Sequence, residues 1–284
     1  MNDKNVRKVE TGTDQLLCSV ANHVATILLN NPQKKNALSD QLTSALRQAL
    51  LDVESDPDVR VVVVRGAGKA FCAGGDISGM GDNLFANKAL SGDNEKPSVD
   101  AITRQLQHAQ ETVSLRLYEL NKPTVAVLTG PAAGAGMSIA LACDLRIATD
   151  KAFITTAFGA IGLSGDFGGS WYLSKLVGPA KAKELYFTSR RVLADEAEKL
   201  GIFNHVVSED RLEEQLEQMV GQIAASAPIA LSYMKENINR AQTSDLKTAM
   251  THEAQRMVQS MHTQDHKSAA KAFLEKRYPV FKGH

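Results

Sequence analysis

Four consecutive valines at positions 61–64 constrain this chain more than any other segment. β-Branched side chains are stiff at χ1 and pack well on a pleated surface. A strand that is apolar on both sides has no face to turn to water, so it must be covered above and below, as in a parallel sheet. A second β-rich run, Val24–Leu29, ends in the turn Asn30-Asn31-Pro32. Between the two, residues 38–53 place Leu42, Leu46, Ala49, Leu50 and Val53 at helical spacing, with Ser39 as candidate N-cap. Glycines at 66, 68, 74 and 75 then break the pattern.

The order repeats. Thr124–Leu128 reads as a buried strand, residues 130–136 as a tight glycine- and alanine-rich turn, 138–143 as a helix of small residues, and 145–148 as a returning strand. Strand, turn, helix and strand in succession predict parallel pairing in an α/β core. Between the units, residues 79–100 are rich in Gly, Asn, Asp, Ser and Lys, and a loop of that length is either disordered or a functional lid. From about residue 209 the chain reads as helical, with Leu212, Leu216, Met219, Val220 and Ile223 on one face and further helices over 241–261 and 268–274. The expected division is a core over 1–205 and a helical oligomerisation region over 206–284.

With 32 basic and 32 acidic side chains the formal net charge is zero, which argues against a nucleic-acid partner. The first ten residues lack the apolar stretch of a signal peptide, and no run reaches the roughly 18 apolar residues of a spanning helix. Cys18, Cys72 and Cys143 are odd in number and sit in apolar stretches, so they read as buried thiols of a reducing compartment. A cytoplasmic protein with no membrane partner is the expectation.

Four segments carry a family pattern: Leu29-Asn30-Asn31-Pro32 with Asn36-Ala37-Leu38; Ala70-Phe71-Cys72-Ala73-Gly74-Gly75-Asp76; Gly130-Pro131-Ala132-Ala133-Gly134-Ala135-Gly136 leading into Ala142-Cys143-Asp144; and residues 162–169 with the tail from Ala272 to Pro279. In order and separation, from about residue 15 onward, they resemble the crotonase (enoyl-CoA hydratase/isomerase) family. The resemblance implies a spiral of ββα turns and a helical C-terminal region that builds a homotrimer or a dimer of trimers. It also implies an acyl-CoA thioester substrate, with coenzyme A part of that substrate and no separate cofactor or metal.

Enolate chemistry on a thioester needs two donors aimed at the carbonyl oxygen as charge collects there, and fixed backbone N–H groups serve well. The family positions point to Ala73 and Ala135, the latter opening a helix whose N-terminal partial charge adds to the effect. The plainer reading is that these residues only permit tight turns. The sequence departs from family hydratases at both glutamate positions, which hold Ser138 and Phe158. Asp166 matches the aspartate of several family isomerases, those of dienoyl-CoA and of ring epoxides in phenylacetate breakdown. Its neighbours Ile161, Leu163, Phe167 and Trp171 are apolar, so desolvation should raise its pKa toward proton-shuttling values. The alternative makes Asp166 a turn former or an N-cap.

For the substrate, the resemblance points to Ala37, Ala70, Gly74, Gly75, Asp76, Ile77 and Gly134 around the two turns, with Asp76 also a candidate turn-holder. Lys34 and Lys35 could meet CoA phosphates or form a solvated turn, and Lys276 could add charge from a neighbouring subunit. Ser138, Phe158 and Trp171 could line an acyl pocket, although Trp171 suits core packing equally. Residues 79–100 would close over the acyl group. Asp144 reads as structural. His262 and His266 have ligand spacing but no apparent third ligand. The sequence therefore favours an acyl-CoA isomerase using Asp166. Its rivals are an atypical hydratase using Asp166 with a water held by Ser138 or Ser164, and a non-catalytic acyl-CoA or protein binder.

Overall fold

In the computed structural model, which describes residues 6–76 and 98–284, the chain opens with an antiparallel meander. β1 (Arg7–Val9) pairs with β2 (Leu16–Ala21), and β2 with β3 (Val24–Leu29). α1 (Asp40–Ser55) follows, its first turn capped by the Ser39 hydroxyl, which accepts from Leu42 N–H. It leads to β4 (Val61–Gly66), which lies parallel to β3 with Val24 opposite Val61. α2 (Val99–Gln110) passes through a π-type turn, Glu111–Leu115, into α3 (Arg116–Glu119).

The second half continues with β5 (Thr124–Leu128), β6 (Ala132–Ala133), α4 (Ala135–Ala142), β7 (Leu145–Thr149) and β8 (Phe153–Thr155). Then come α5 (Gly169–Thr188), β9 (Val192–Leu193), α6 (Ala194–Lys199), β10 (His205–Val207) and α7 (Leu212–Ala224). α8 (Pro228–Ala241), α9 (Leu246–Met261) and α10 (Gln264–Leu274) end the chain. α5 is broken at Gly178-Pro179, where Gly178 leaves helical geometry.

Seven strands form one sheet in the order β1-β2-β3-β4-β5-β7-β10, parallel from β3 onward. The valine run shows why both faces must be covered. Val62 and Val64 point into the main core with α1 and α4, whereas Val61 and Val63 meet Leu212, Leu216 and Val220 of α7. Position 205, the expected domain boundary, falls within β10, and α7 beyond it packs on the main sheet.

A smaller layer is built from the turns after successive strands. Leu38 bridges Gly75, Cys72 bridges Ala132, and β6 pairs with β8, which pairs with β9. The successive parallel strands β3, β4, β5 and β7 thus each feed a turn into a stack beside the sheet, which is the crotonase-type spiral expected above. Asn36 locks one of these turns. It is fully buried, and its amide donates to the carbonyls of Ala67, Ala70 and Phe71 while its Oδ1 accepts from Asn31 N–H.

Two corrections concern the helices. A single helix over 241–261 is not formed: α8 ends at Ala241 and α9 begins behind Asp245, whose carboxylate accepts from Thr248 N–H. α2 lies almost wholly in a stretch to which the sequence reading assigned no element, and residues 98–100 of the expected lid form its capped start. The rest of that lid, and Ile77, lie outside the described residues. Asp144 is structural as read, accepting from Thr124 N–H at 2.7 Å and pairing with Lys235 of α8 at 2.8 Å. Among the described residues no helix is long and apolar enough to cross a membrane.

Candidate active site

The spiral brings the ends of several turns to one cleft of about 550 Å³. Leu38, Asp40, Thr43, Ser44 and Arg47 form one wall and Ile102, Gln105, Leu106, His108 and Ala109 of α2 another. Gly75, Asp76 and Ala135 come from the two glycine-rich turns, and Phe158 and residues 163–167 close the remaining side.

Two backbone donors reach this cleft from adjacent turns. Leu38 bonds to the carbonyl of Gly74 at 2.8 Å and accepts from Asp76 N–H at 3.3 Å. In a parallel bridge of that kind the residue between, Gly75, turns its own N–H away from Leu38. Ala135 is the first residue of α4, so its N–H has no partner within the helix. Neither N–H has an acceptor among the described residues, and both residues line the cleft. α4 has no side-chain cap, which leaves its partial positive charge uncompensated at this end. The two turns pack so closely that a Cβ at Gly136 would lie 2.3 Å from the Cys72 carbonyl oxygen, which restricts that position to glycine.

Ala73, the donor expected from the sequence, is committed elsewhere. Its N–H donates to the Lys35 carbonyl at 3.0 Å, and the residue is not on the cleft wall. The sequence could not distinguish 73 from 75 because the choice depends on pairing with distant Leu38.

Asp166 lies in the turn before α5 and lines the cleft. Its Oδ1 is buried without a hydrogen-bond partner, and burial alone pushes its pKa up to about 6. The backbone here is held firmly. The Asp166 carbonyl accepts from the Ser138 hydroxyl at 3.0 Å and from Gly169 N–H at 3.1 Å. Phe167, at φ 49°, has its carbonyl bonded by Ser114 Oγ at 2.6 Å. Asp166 is not the N-cap of α5; Gly168 is.

The other expected site residues separate into groups. Gly75, Asp76 and Phe158 line the cleft. Ala37, Ala70, Gly74 and Gly134 build the turns beneath it: Ala37 N–H donates to the Lys34 carbonyl, the Ala70 carbonyl accepts from Asn36, and Gly134 N–H donates to the Thr155 carbonyl. Ser138 is fully buried and serves the Asp166 backbone. Asp76 pairs with Lys34 at 2.7 Å, so Lys34 stands beside the cleft, and Lys35 is exposed in the same turn. Trp171 is elsewhere: it packs edge-on against Tyr118 and Tyr172, facing α8, because it lies one helical turn past the cleft. Lys276 follows α10 and does not reach the cleft of its own chain.

Tyr186 of α5 was not singled out by the sequence. Its ring stacks on Phe158, with centroids 6.1 Å apart and planes 12° apart, and its hydroxyl is buried. The three cysteines are buried and free. Burial pushes the thiols up, Cys18 to about 11 and both Cys72 and Cys143 to about 12, so they are not nucleophiles at neutral pH.

A spiral of paired turns that aims two backbone N–H groups into a cleft holding a desolvated carboxyl has the parts that an enzyme acting on a carbonyl group needs. Residues 19–284 match the enoyl-CoA hydratase/isomerase family model, and the chain belongs to that family, the crotonase superfamily, whose substrates are acyl-CoA thioesters. It is 34% identical over 255 residues to the short-chain-enoyl-CoA hydratase of Clostridium acetobutylicum, covering 89% of this chain and 92% of that one. It is 31% identical over 268 residues to the 1,2-epoxyphenylacetyl-CoA isomerase of Escherichia coli, covering 94% and 98%. The crystal structure of an enoyl-CoA hydratase from a Polaromonas species superposes with a TM-score of 0.84 at 31% identity, covering 94% of this chain and 99% of that one.

Proposed function

We propose that this enzyme is an acyl-CoA isomerase in which Asp166 carries a proton from one carbon of the acyl group to another. The observation that carries the reading is the raised carboxyl of Asp166, its Oδ1 unpartnered, in the same cleft as the N–H groups of Gly75 and Ala135, which have no acceptor among the described residues. The thioester oxygen would sit between those N–H groups. Ionised Asp166 removes a proton from the acyl chain, the electron pair moves through the α-carbon to the thioester oxygen, and the resulting enolate is held by the two donors. Asp166, now protonated, returns the proton at a second carbon and shifts the double bond. A pKa near neutrality suits both halves of that cycle.

Water addition in this family's hydratases employs two glutamates, and the corresponding positions hold Ser138 and Phe158. The Ser138 hydroxyl donates to the Asp166 backbone, so it is a poor candidate for holding a nucleophilic water. Ser164 lines the cleft and keeps the atypical hydratase as the second reading. In this reading Lys34, which pairs with Asp76 on the cleft wall, and Lys35 in the same turn would meet CoA phosphates. The proposed cycle draws on no metal or redox cofactor, and three buried thiols suit the cytoplasm.

The test is deuterium incorporation at the α- and γ-carbons of 2-enoyl, 3-enoyl, dienoyl and aryl-acetyl thioesters of CoA in D2O, for wild type and Asp166→Asn. Exchange with double-bond movement that disappears in the variant supports the isomerase. Water addition without movement promotes the hydratase, and tight CoA binding without exchange promotes the non-catalytic binder.

A further inference from the structure

Four side-chain atoms among the described residues are buried without a hydrogen-bond partner, and two of them meet at the same turn: Asp166 Oδ1, which the turn carries, and the hydroxyl of Tyr186, which comes to it from α5. Buried polar atoms without partners are uncommon, and each calls for an explanation. The phenol is held from behind by its stacking on Phe158. In front it fits into the bend of residues 165–169. A Cβ at Gly165 would lie 3.1 Å from ring atom Cε1 and 3.6 Å from the hydroxyl, and one at Gly169 would lie 2.8 Å from the hydroxyl. Glycine on both sides of Asp166 is what lets the phenol tip enter the turn that carries the carboxyl.

A phenol donates and a carboxylate accepts, so these two orphaned atoms complement each other. Placed in contact, each would satisfy the other in a region with little water. Tyr186 is not among the described residues that line the cleft and its hydroxyl is buried, so a part in the reaction would run through Asp166.

We propose that Tyr186 is a positioning residue for Asp166, its hydroxyl donating to Oδ1 of the ionised carboxylate so that Oδ2 is left to meet the substrate. The inference rests on the reading of Asp166 as the proton shuttle. The phenol keeps its proton throughout, since burial and the charge of Asp166 push it up to about 12. Other ionisable groups bear on Asp166 less directly. Asp40 and Arg47 of α1, Asp76, and His108 of α2 line the cleft walls, Glu111 stands at the π-type turn, and Tyr172 faces Ser114. Cys72 lies beneath the neighbouring turn, and α4 contributes no charged side chain. The rise at Asp166 comes from burial and from none of these charges.

The experiment measures α-proton exchange of an acyl-CoA thioester as kcat/KM against pH for wild type, Tyr186→Phe and Asp166→Asn. Phenylalanine preserves the ring and its stacking but removes the donor to the charged form. The acid limb of Tyr186→Phe should therefore move up by about one pH unit, a roughly tenfold lower rate below the limb. Affinity for CoA should be unchanged. Fluorotyrosine at position 186, a stronger donor of nearly the same shape, should move the limb down, which keeps the test intact if the phenylalanine variant folds poorly. Asp166→Asn without exchange, together with an unmoved limb in Tyr186→Phe and in the fluorotyrosine protein, overturns this inference alone. Asp166→Asn with wild-type exchange overturns the shuttle reading and this inference with it.

Discussion

The hydroxyl of Ser114 donates to the carbonyl oxygen of Phe167 at 2.6 Å, across 53 positions of sequence. Ser114 is buried in the π-type turn between α2 and α3, a local widening often found beside functional sites. Phe167 adopts a left-handed backbone, uncommon outside glycine, and it adjoins Asp166. The bond therefore ties one cleft wall to the strained turn that carries the carboxyl.

Ser114→Ala removes the donor and leaves a buried carbonyl unsatisfied. Stability should fall by about 1–3 kcal/mol in urea denaturation. Exchange turnover should fall further than CoA affinity, because the group set free is the one next to Asp166.

The pH dependence follows from Asp166 itself. Activity that needs the ionised carboxylate should rise through its raised pKa of about 6 and level off above it. Asp166→Asn should lose that limb together with about 10²–10⁴ of the turnover. The same shift has a stability consequence of opposite sign. Burial raises the folded pKa above the unfolded one, so the native state holds its proton more tightly and loses stability as pH rises from about 4 to above 6. Asparagine escapes that loss. The variant should be more stable than wild type on the order of 2 kcal/mol above neutrality, discounted for the open side of the cleft, and the gap should close near pH 4. Urea denaturation at both ends of the range checks it.

Much of this was legible in the sequence because it was local. The valines at 61–64 required cover on both faces and received it from α4 on one side and α7 on the other. Ser39 caps α1 as its spacing predicted. What escaped depends on distant pairing. Gly75, and not Ala73, faces the cleft because Leu38 pairs across it, and Tyr186 comes to the turn at 165–169 from the far end of α5, beyond the break at Gly178-Pro179. α2 escaped although Ser98 caps it and Ile102, Leu106 and Ala109 recur at helical spacing, because that stripe is narrow and set among polar residues next to the long polar segment before it.

The donor at Ala135 can be deleted without deleting a side chain. Proline lacks the N–H and is tolerated at the first position of a helix, which is where Ala135 sits in α4. Ala135→Pro should fold and bind CoA, while kcat drops by roughly 10²–10³, the effect of one lost oxyanion donor. A variant that keeps wild-type kcat would remove Ala135 from the proposed oxyanion pair.

The C-terminal helices bear apolar side chains that a lone chain leaves in water. On α9, Leu246, Met250, Met257 and Met261 share one face by spacing, and Phe273 and Leu274 of α10 are each 82% exposed. Contiguous exposure of this kind marks an association surface. Light scattering behind size exclusion should give a trimer or hexamer, and Met250→Asp with Met257→Asp should shift it to smaller species.

Asn36 offers the sharpest link between stability and site geometry. Its amide donates to three carbonyls, those of Ala67, Ala70 and Phe71, at 2.9, 2.8 and 3.3 Å, all on the loop that runs on to Gly75. Asn36→Asp keeps the shape and the acceptor for Asn31 N–H but turns the donor into a buried negative charge facing three oxygens. Asn36→Ala removes both functions and leaves a cavity. Since unsatisfied buried groups cost about 1–3 kcal/mol each, either change should lower stability by at least about 3 kcal/mol. The aspartate should be the worse of the two near neutrality, and it should recover part of the loss in acid, where a protonated carboxyl can donate again. Urea denaturation of both variants at two pH values separates lost packing from lost donation. An aspartate variant as stable as wild type would show that the turn below Gly75 is held by something other than this amide.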